Sequence, residues 1–242
     1  MADSSNKKRH VRYIGLCGEL GSGKSTAARR LVDLMGKQTV VVAAFAAALK
    51  EFVAGLGGCP VHDLYTNEGK ARIFPAWPHA HPGTTVQTKP LPLATLISKA
   101  GISVPDSRVL EACTLLIVIL EDETPHTYGW MLQYIGTDVM RYCIADDIWV
   151  RCCLCGIPKE TDVVVVEDCR FPNEVEAIHA RGGIVIKLAR TQVGNVKAGR
   201  DSNHPSETNV KTLQCDKVVA NDGSLDELSA ALAVVLAEYH YM

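Results

Sequence analysis

The chain has 242 residues, 47% of them apolar, and a formal net charge of −2. That length is enough for one well-buried α/β domain over 1–242. The near-neutral balance excludes a disordered tail and a polybasic nucleic-acid binder, so no nucleic-acid partner is expected.

Met1 to His10 is polar and charged, lacks the apolar core of an export signal, and reads as a disordered arm over 1–10. Val11–Cys17 reads as a first strand. It runs into Gly18-Glu19-Leu20-Gly21-Ser22-Gly23-Lys24-Ser25-Thr26 and then the helical spacing Ala27, Ala28, Leu31, Val32, Met35. This is G-x-x-x-x-G-K-[ST] in its strand–loop–helix setting. Glycines let backbone N–H groups turn inward around a phosphate, and the positive end of the helix adds to the field there. Lys24 would reach the β- and γ-phosphates and Ser25 would ligate Mg²⁺, with Gly18, Gly21, Ser22, Gly23 and Thr26 completing the cradle. ATP and Mg²⁺ are the expected cofactors. Gly36 stands where it would end the helix.

Thr39–Ala44, rich in valine, predicts a buried second strand. Phe45–Val53 returns to helical composition and stops at Gly55, Gly57 and Gly58. Lys50 within it faces either a substrate phosphate or solvent. From Cys59 to Pro105, repeated prolines break every periodicity, which predicts a functional loop or insertion. Lys70 and Arg72 are its candidate anion contacts and Trp77 a surface for a base. His79 and His81 read as ordinary loop residues with no third ligand. Val109–Leu120 predicts an apolar core helix or strand, and its strongest run, Leu115–Leu120, is too short to span a bilayer.

Gly129–Cys143 suits an amphipathic helix with Met131, Tyr134, Ile135, Val139 and Met140 on its apolar side. Gln133, Asp138 and Arg141 lie partly along a second face, with Gly136-Thr137 allowing a close approach. Gln and Asp can read base or sugar edges and Arg can clamp a phosphate; a solvated face is the plain alternative. Asp147–Cys155 continues as a helix. Its Cys152, Cys153 and Cys155 lack a matching Cys/His pair, which argues against zinc, and nine cysteines in all fit reduced thiols in a cytosolic compartment.

Val163–Val166 is the β-branched run of a central parallel strand, ending in Glu167-Asp168-Cys169-Arg170. A carboxylate at that strand end, beside the phosphate loop, would hold Mg²⁺ or position an acceptor, with simple capping as the alternative. Arg170 would neutralise phosphate. Asn173 is predicted to cap the helix Glu174–Ala180, closed by Gly182-Gly183. Ile184–Ala189 is another buried strand and ends at Arg190. Thr191–Asn209 lacks apolar periodicity and carries Arg200, Asp201, His204, Ser206 and Glu207, the composition of a flap that neutralises a migrating phosphoryl group. Lys217–Ala220 is a last strand, and Ser224–Tyr239 a final helix with a Ser224/Glu227 capping box.

Several blocks fall in one order along nearly the whole chain: Gly18–Thr26, Phe45-Ala46 with Leu49-Lys50, Leu132-Gln133-x-x-Gly136-Thr137-Asp138-Val139-x-Arg141, and Asp168-x-Arg170-Phe171-Pro172-Asn173-Glu174. Gly182-Gly183, Arg190, Asp201-x-x-His204-x-Ser206-Glu207 and Asn221-Asp222-Gly223-Ser224 follow. Together they resemble the bacteriophage-type deoxynucleoside monophosphate kinase family of P-loop kinases. Ser25 departs from the Asp that the family often has after the lysine.

The resemblance implies a three-layer α/β fold with a central parallel five-stranded sheet, a monophosphate-binding insertion over 59–130 and a lid over 190–209. It implies a cytoplasmic enzyme, a homodimer, moving the γ-phosphoryl group of ATP·Mg to a deoxynucleoside 5′-monophosphate for DNA precursor synthesis. By position, Lys24, Asp168, Arg170, Arg190 and Arg200 would be catalytic. Lys50, Lys70, Gln133, Thr137, Asp138, Arg141 and Arg170 would bind the acceptor, and Ser25 and Asp168 the metal. Two alternatives stand beside it: a P-loop kinase of another phosphorylated acceptor, such as phosphomevalonate or dephospho-coenzyme A, and a non-catalytic nucleotide-binding switch.

Overall fold

The computed structural model describes residues 10–75, 93–191 and 199–241; Trp77, His79, His81 and all but the last residue of the 1–10 arm lie outside them. Five strands, β1 (Arg12–Cys17), β2 (Val40–Ala43), β3 (Val163–Cys169), β4 (Ile184–Ala189) and β5 (Lys217–Ala220), pair in parallel in the order β2-β3-β1-β4-β5. Val163–Val166 of β3 is wholly buried because successive side chains point to opposite faces and both faces are covered. Val163 and Val165 join Ile14, Leu16, Ile186 and Leu188 against α1 (Lys24–Met35) and α10 (Leu225–Glu238). Val164 and Val166 face the other way, into the core built by α2 (Ala47–Gly57), α7 (Ile148–Leu154) and α8 (Pro172–His179). The three-layer α/β architecture is thus the expected one.

Around that frame, α3 (Asn67–Ala71), α4 (Leu93–Ala100), α5 (Asp106–Glu121) and the start of α6 (Tyr128–Gln133) fall within the stretch expected as an insertion, and α9 (Pro205–Thr212) starts inside the stretch expected as a lid. Among the described residues, no helix is long and apolar enough to cross a membrane. All nine cysteines are free thiols.

Several local expectations change. The second strand is shorter than expected and only partly buried, because it is the sheet edge: Val42 is exposed. The Val109–Leu120 stretch is a helix that buries Ala112, Leu116 and Leu120 but leaves Leu110, Ile117 and Val118 exposed, so only one stripe of it is core. The helix expected over Gly129–Cys143 is α6 followed by a π-helical run, Tyr134–Ile144. Tertiary contacts override the local pattern there. The Gly136 carbonyl accepts the Trp149 indole N–H at 2.8 Å, and Leu49 of α2 packs where a Cβ on Gly136 would sit. Asn173 is not the cap of α8. Pro172 occupies the first helical position, Phe171 is the N-cap, and Glu174 reaches back to accept the N–H groups of Arg170 and Phe171 at 2.6 and 3.1 Å. The Asn173 amide donates instead to Asp146. The Ser224/Glu227 capping box forms as expected.

Candidate active site

β1 ends at Cys17 and delivers the phosphate loop to the carboxyl edge of the sheet, where β3 ends beside it. Gly23, with φ +93°, is the N-cap of α1 and offers no side chain to cap it, so the first N–H groups of that helix remain for an anion. A Cβ at Gly23 would meet the Asn221 amide, which donates to the Ser22 carbonyl at 2.8 Å and holds the loop from the far side. Lys24 curls back over its own loop, with Nζ donating to the Gly18 and Glu19 carbonyls at 2.8 and 2.7 Å. Burial pushes the Lys24 ammonium down to about 8, and the nearby Arg170 adds to that. Ser25 stands exposed at the helix start. Arg190, at the end of β4, reaches the Gly21 carbonyl at 3.4 Å and so belongs to the phosphate loop's side.

Across the edge from that loop lies a cleft of about 550 Å³. Its floor is apolar, with Phe45, Leu49, Leu132, Trp149 and Phe171, and its mouth carries Lys50, Asp168, Arg170 and Arg200. Asp168 takes the N–H groups of Phe45 and Ala46 on its two carboxylate oxygens, at 2.7 and 3.1 Å, which anchors the chain entering α2. Arg170 and Arg200 share one carboxylate: Glu207 Oε1 accepts from both, at 2.7 and 3.1 Å. Burial alone would raise Glu207, but the two guanidinium groups outweigh it and hold the carboxyl below its ordinary value. Burial together with Arg170 lowers Arg200 to about 10.

Two lysines complete the positive field. Lys50 is buried in α2 with its ammonium 3.7 Å above the Tyr65 ring centroid. Lys70 of α3 is only 8% exposed, and its ammonium makes no hydrogen bond or ion pair with any described residue. Burial, reinforced by Arg200, Lys50 and Arg170, pushes it down to about 7. A buried lysine whose ammonium has no partner, within the field of three other cations, is a group that an anion would complete.

A profile described as deoxynucleotide monophosphate kinase matches residues 85–232, more than half of the chain. The chain belongs to that family. It is therefore a kinase, a phosphotransferase. The phosphate loop lies N-terminal to the matched segment and rests on its own geometry. A protein of Acanthamoeba polyphaga mimivirus, whose name is again that of a deoxynucleotide monophosphate kinase, is 28% identical over 229 residues, covering 88% of this chain and 90% of its own. The deoxynucleoside-5′-monophosphate kinase of Escherichia phage T5 is 25% identical and spans 81% of this chain and 84% of its own. The deoxynucleotide monophosphate kinase of Escherichia phage RB69 is 30% identical over 112 residues, 44% of this chain and 43% of its own.

The kinase frame gives each expected residue a place. Lys50, Gln133, Thr137, Arg141, Asp168, Arg170 and Arg200 all line the one cleft. Asp138 does not: it is exposed and faces His204 Nε2 at 3.7 Å. Arg141, expected as a phosphate clamp, is already engaged. Its guanidinium pairs with the buried Glu174, donates to the Asp146 carbonyl at 2.5 Å and lies 4.0 Å over the Phe171 ring. Gln133 is engaged with backbone, not poised for a base edge. Sequence reasoning underrated Glu207 and missed Glu174 and Tyr65. Glu174 meets Arg141 from 33 residues away and Glu207 meets Arg170 from 37, and the arginine-rich surroundings were the one signal that these carboxylates were needed.

Proposed function

We propose that this kinase transfers the γ-phosphoryl group of ATP·Mg²⁺ to a deoxynucleoside 5′-monophosphate, releasing ADP and the deoxynucleoside diphosphate for DNA precursor synthesis in the cytoplasm. The observation that carries the reading is the pairing of two anion sites at one sheet edge. The phosphate loop with Lys24 takes the donor, and the cleft with Lys50, Arg170 and Arg200, in whose field Lys70 lies, takes the acceptor phosphate above an apolar floor that suits a base. A switch that only binds a nucleotide has no use for the second cluster.

The mechanism needs no side-chain nucleophile, because the acceptor phosphate brings its own anionic oxygen. What the chain supplies is alignment and charge neutralisation between two anions that repel each other. Lys24 exchanges the Gly18 and Glu19 carbonyls for phosphate oxygens. Arg170 and Arg200, held at a fixed spacing by Glu207, cancel charge on the group in transit. The exposed Ser25 hydroxyl and the remaining lone pairs of Asp168 form a hard oxygen donor set suited to Mg²⁺. When bound, the ion would neutralise charge on the donor's terminal phosphates.

The test is ADP release from Mg·ATP with each deoxynucleoside monophosphate in turn, with phosphomevalonate and dephospho-coenzyme A as competing acceptors. Release that depends on one or more deoxynucleotides is expected. ADP release with only one of the other two acceptors would overturn the substrate assignment, and release with none would favour the switch.

A further inference from the structure

The Gln133 side-chain amide behaves as a piece of backbone. Its Nε2 donates to the Asp201 carbonyl at 2.9 Å and its Oε1 accepts the Asp201 N–H at 2.8 Å, a closed two-bond pairing across 68 positions of sequence. The side chain is 5% exposed, so these bonds form where water does not compete. Two residues back along the same segment, the Thr127 hydroxyl donates to the Gly199 carbonyl. Gly199 has φ +61°, and a Cβ there would collide with Thr127, so the two backbones meet as closely as glycine allows. Thr127 is the N-cap of α6 and Gln133 its last residue. One short helix therefore grips the chain on both sides of Arg200 and leaves only that side chain free to point into the cleft.

We infer that α6 is a clasp and Gln133 a positioning residue: it fixes the Arg200 backbone so that the guanidinium is preorganised at the acceptor phosphate, and it does not read the base. This rests on the phosphoryl-transfer reading above for what Arg200 does, but the clasp itself is a property of the ligand-free fold. The far root of the same segment is held separately, where Thr191 donates through its N–H and its hydroxyl to Asp222 at 2.8 and 2.7 Å. The arginine is thus built into the scaffold through α6, independently of the 192–198 stretch, which lies outside the described residues. Preorganised charge costs no rearrangement at the moment of transfer, which is where its catalytic value lies.

Amide hydrogen exchange on the ligand-free protein tests the clasp without reference to activity. Gln133→Ala should speed exchange at Asp201 by at least about two- to tenfold, the range expected for the bond its own N–H loses, while the Val163–Val166 amides keep their protection. Gln133→Glu preserves shape and the acceptor but sets a carboxylate against the Asp201 carbonyl; it should loosen the same amide and guards against a folding artefact. Unchanged exchange at Asp201 in both variants would overturn the clasp. In steady-state assays Gln133→Ala should lower kcat by a common factor for every deoxynucleoside monophosphate accepted, and adding it to Arg200→Ala should cost nothing more. A loss that differs about tenfold or more between bases would return Gln133 to base reading and refute the inference. If no acceptor supports turnover in the unaltered protein while exchange at Asp201 responds as expected, the clasp stands and the proposed reaction fails.

Discussion

Replacing Arg141 by methionine should destabilise the fold in a way that grows with pH. Arg141 and Glu174 are 5% and 4% exposed at their side chains, and the carboxylate also takes the Arg170 and Phe171 N–H groups. Burial raises Glu174 to about 7 from its ordinary 4.5, and Arg141 is the main influence opposing that rise. Because the folded value lies above the unfolded one, the folded protein binds the extra proton. The Glu174 contribution is fully present below about 4.5 and is lost as pH climbs to 7. Without the guanidinium the folded value moves higher still, so the variant keeps losing stability above pH 7, where the unaltered protein has levelled off. Between about pH 7 and 9 the difference should widen by about 1.4 kcal/mol per pH unit. Below pH 6 a floor of about 1–3 kcal/mol remains from the lost hydrogen bonds and the contact with Phe171. The total near pH 8, about 2.4–4.4 kcal/mol, overlaps the roughly 3–5 kcal/mol expected for breaking a buried ion pair from one side. Methionine retains most of the stem volume, which keeps cavity effects small. Urea unfolding followed by tryptophan fluorescence at pH 5.5, 7, 8 and 9 measures it. A difference independent of pH, or one below about 1 kcal/mol at pH 8, would refute this account of the pair.

Four further outcomes are expected. Gly23→Ala must place a Cβ at φ +93° against the Asn221 amide, so nucleotide binding should be lost while far-UV circular dichroism stays native; unaltered ATP affinity by calorimetry would count against the loop geometry. Lys24→Ala should reduce kcat by about a thousandfold or more without unfolding the protein, and a rate near that of the unaltered enzyme would remove the donor site from the phosphate loop. Lys70, held near 7, loses its charge as pH rises from 7 to 9, so the acceptor KM should rise over that window; Lys70→Met should raise KM at pH 6.5 and flatten the rise. Glu207→Gln strips the shared charge from Arg170 and Arg200 and should cost about 1–3 kcal/mol in thermal or urea unfolding. Inorganic sulfate should then raise the Tm of that variant more than the Tm of the unaltered protein, and an equal rise would show that the arginines had not been left wanting an anion.

Features written in short-range chemistry were legible from the residues. The strand–loop–helix around Gly18–Thr26, the doubly buried Val163–Val166, and the Ser224/Glu227 box each depend on neighbours within a few positions. What escaped was decided by partners far along the chain. Whether Gln133 meets a base or the Asp201 backbone depends on a segment 68 residues away, and whether Arg141 is free depends on Glu174, 33 residues on. The α-helical period over 129–143 was a sound local preference overruled by Leu49 and Trp149 at Gly136. The misplaced cap at Asn173 followed from weighing the cap residue alone, when Pro172 and the backward reach of Glu174 settle the start of α8 two residues earlier.

Asp168 carries a consequence for how this chain can evolve. Its carboxylate fastens the backbone leading into α2, and the residue also lines the cleft. Asparagine would turn an amide N–H₂ toward one of the two backbone N–H groups, and glutamate would push the strand end and α2 apart. No single exchange preserves the anchor while changing the charge, or the reverse. If the proposed reaction holds, selection for folding and selection for turnover act together on this one carboxylate.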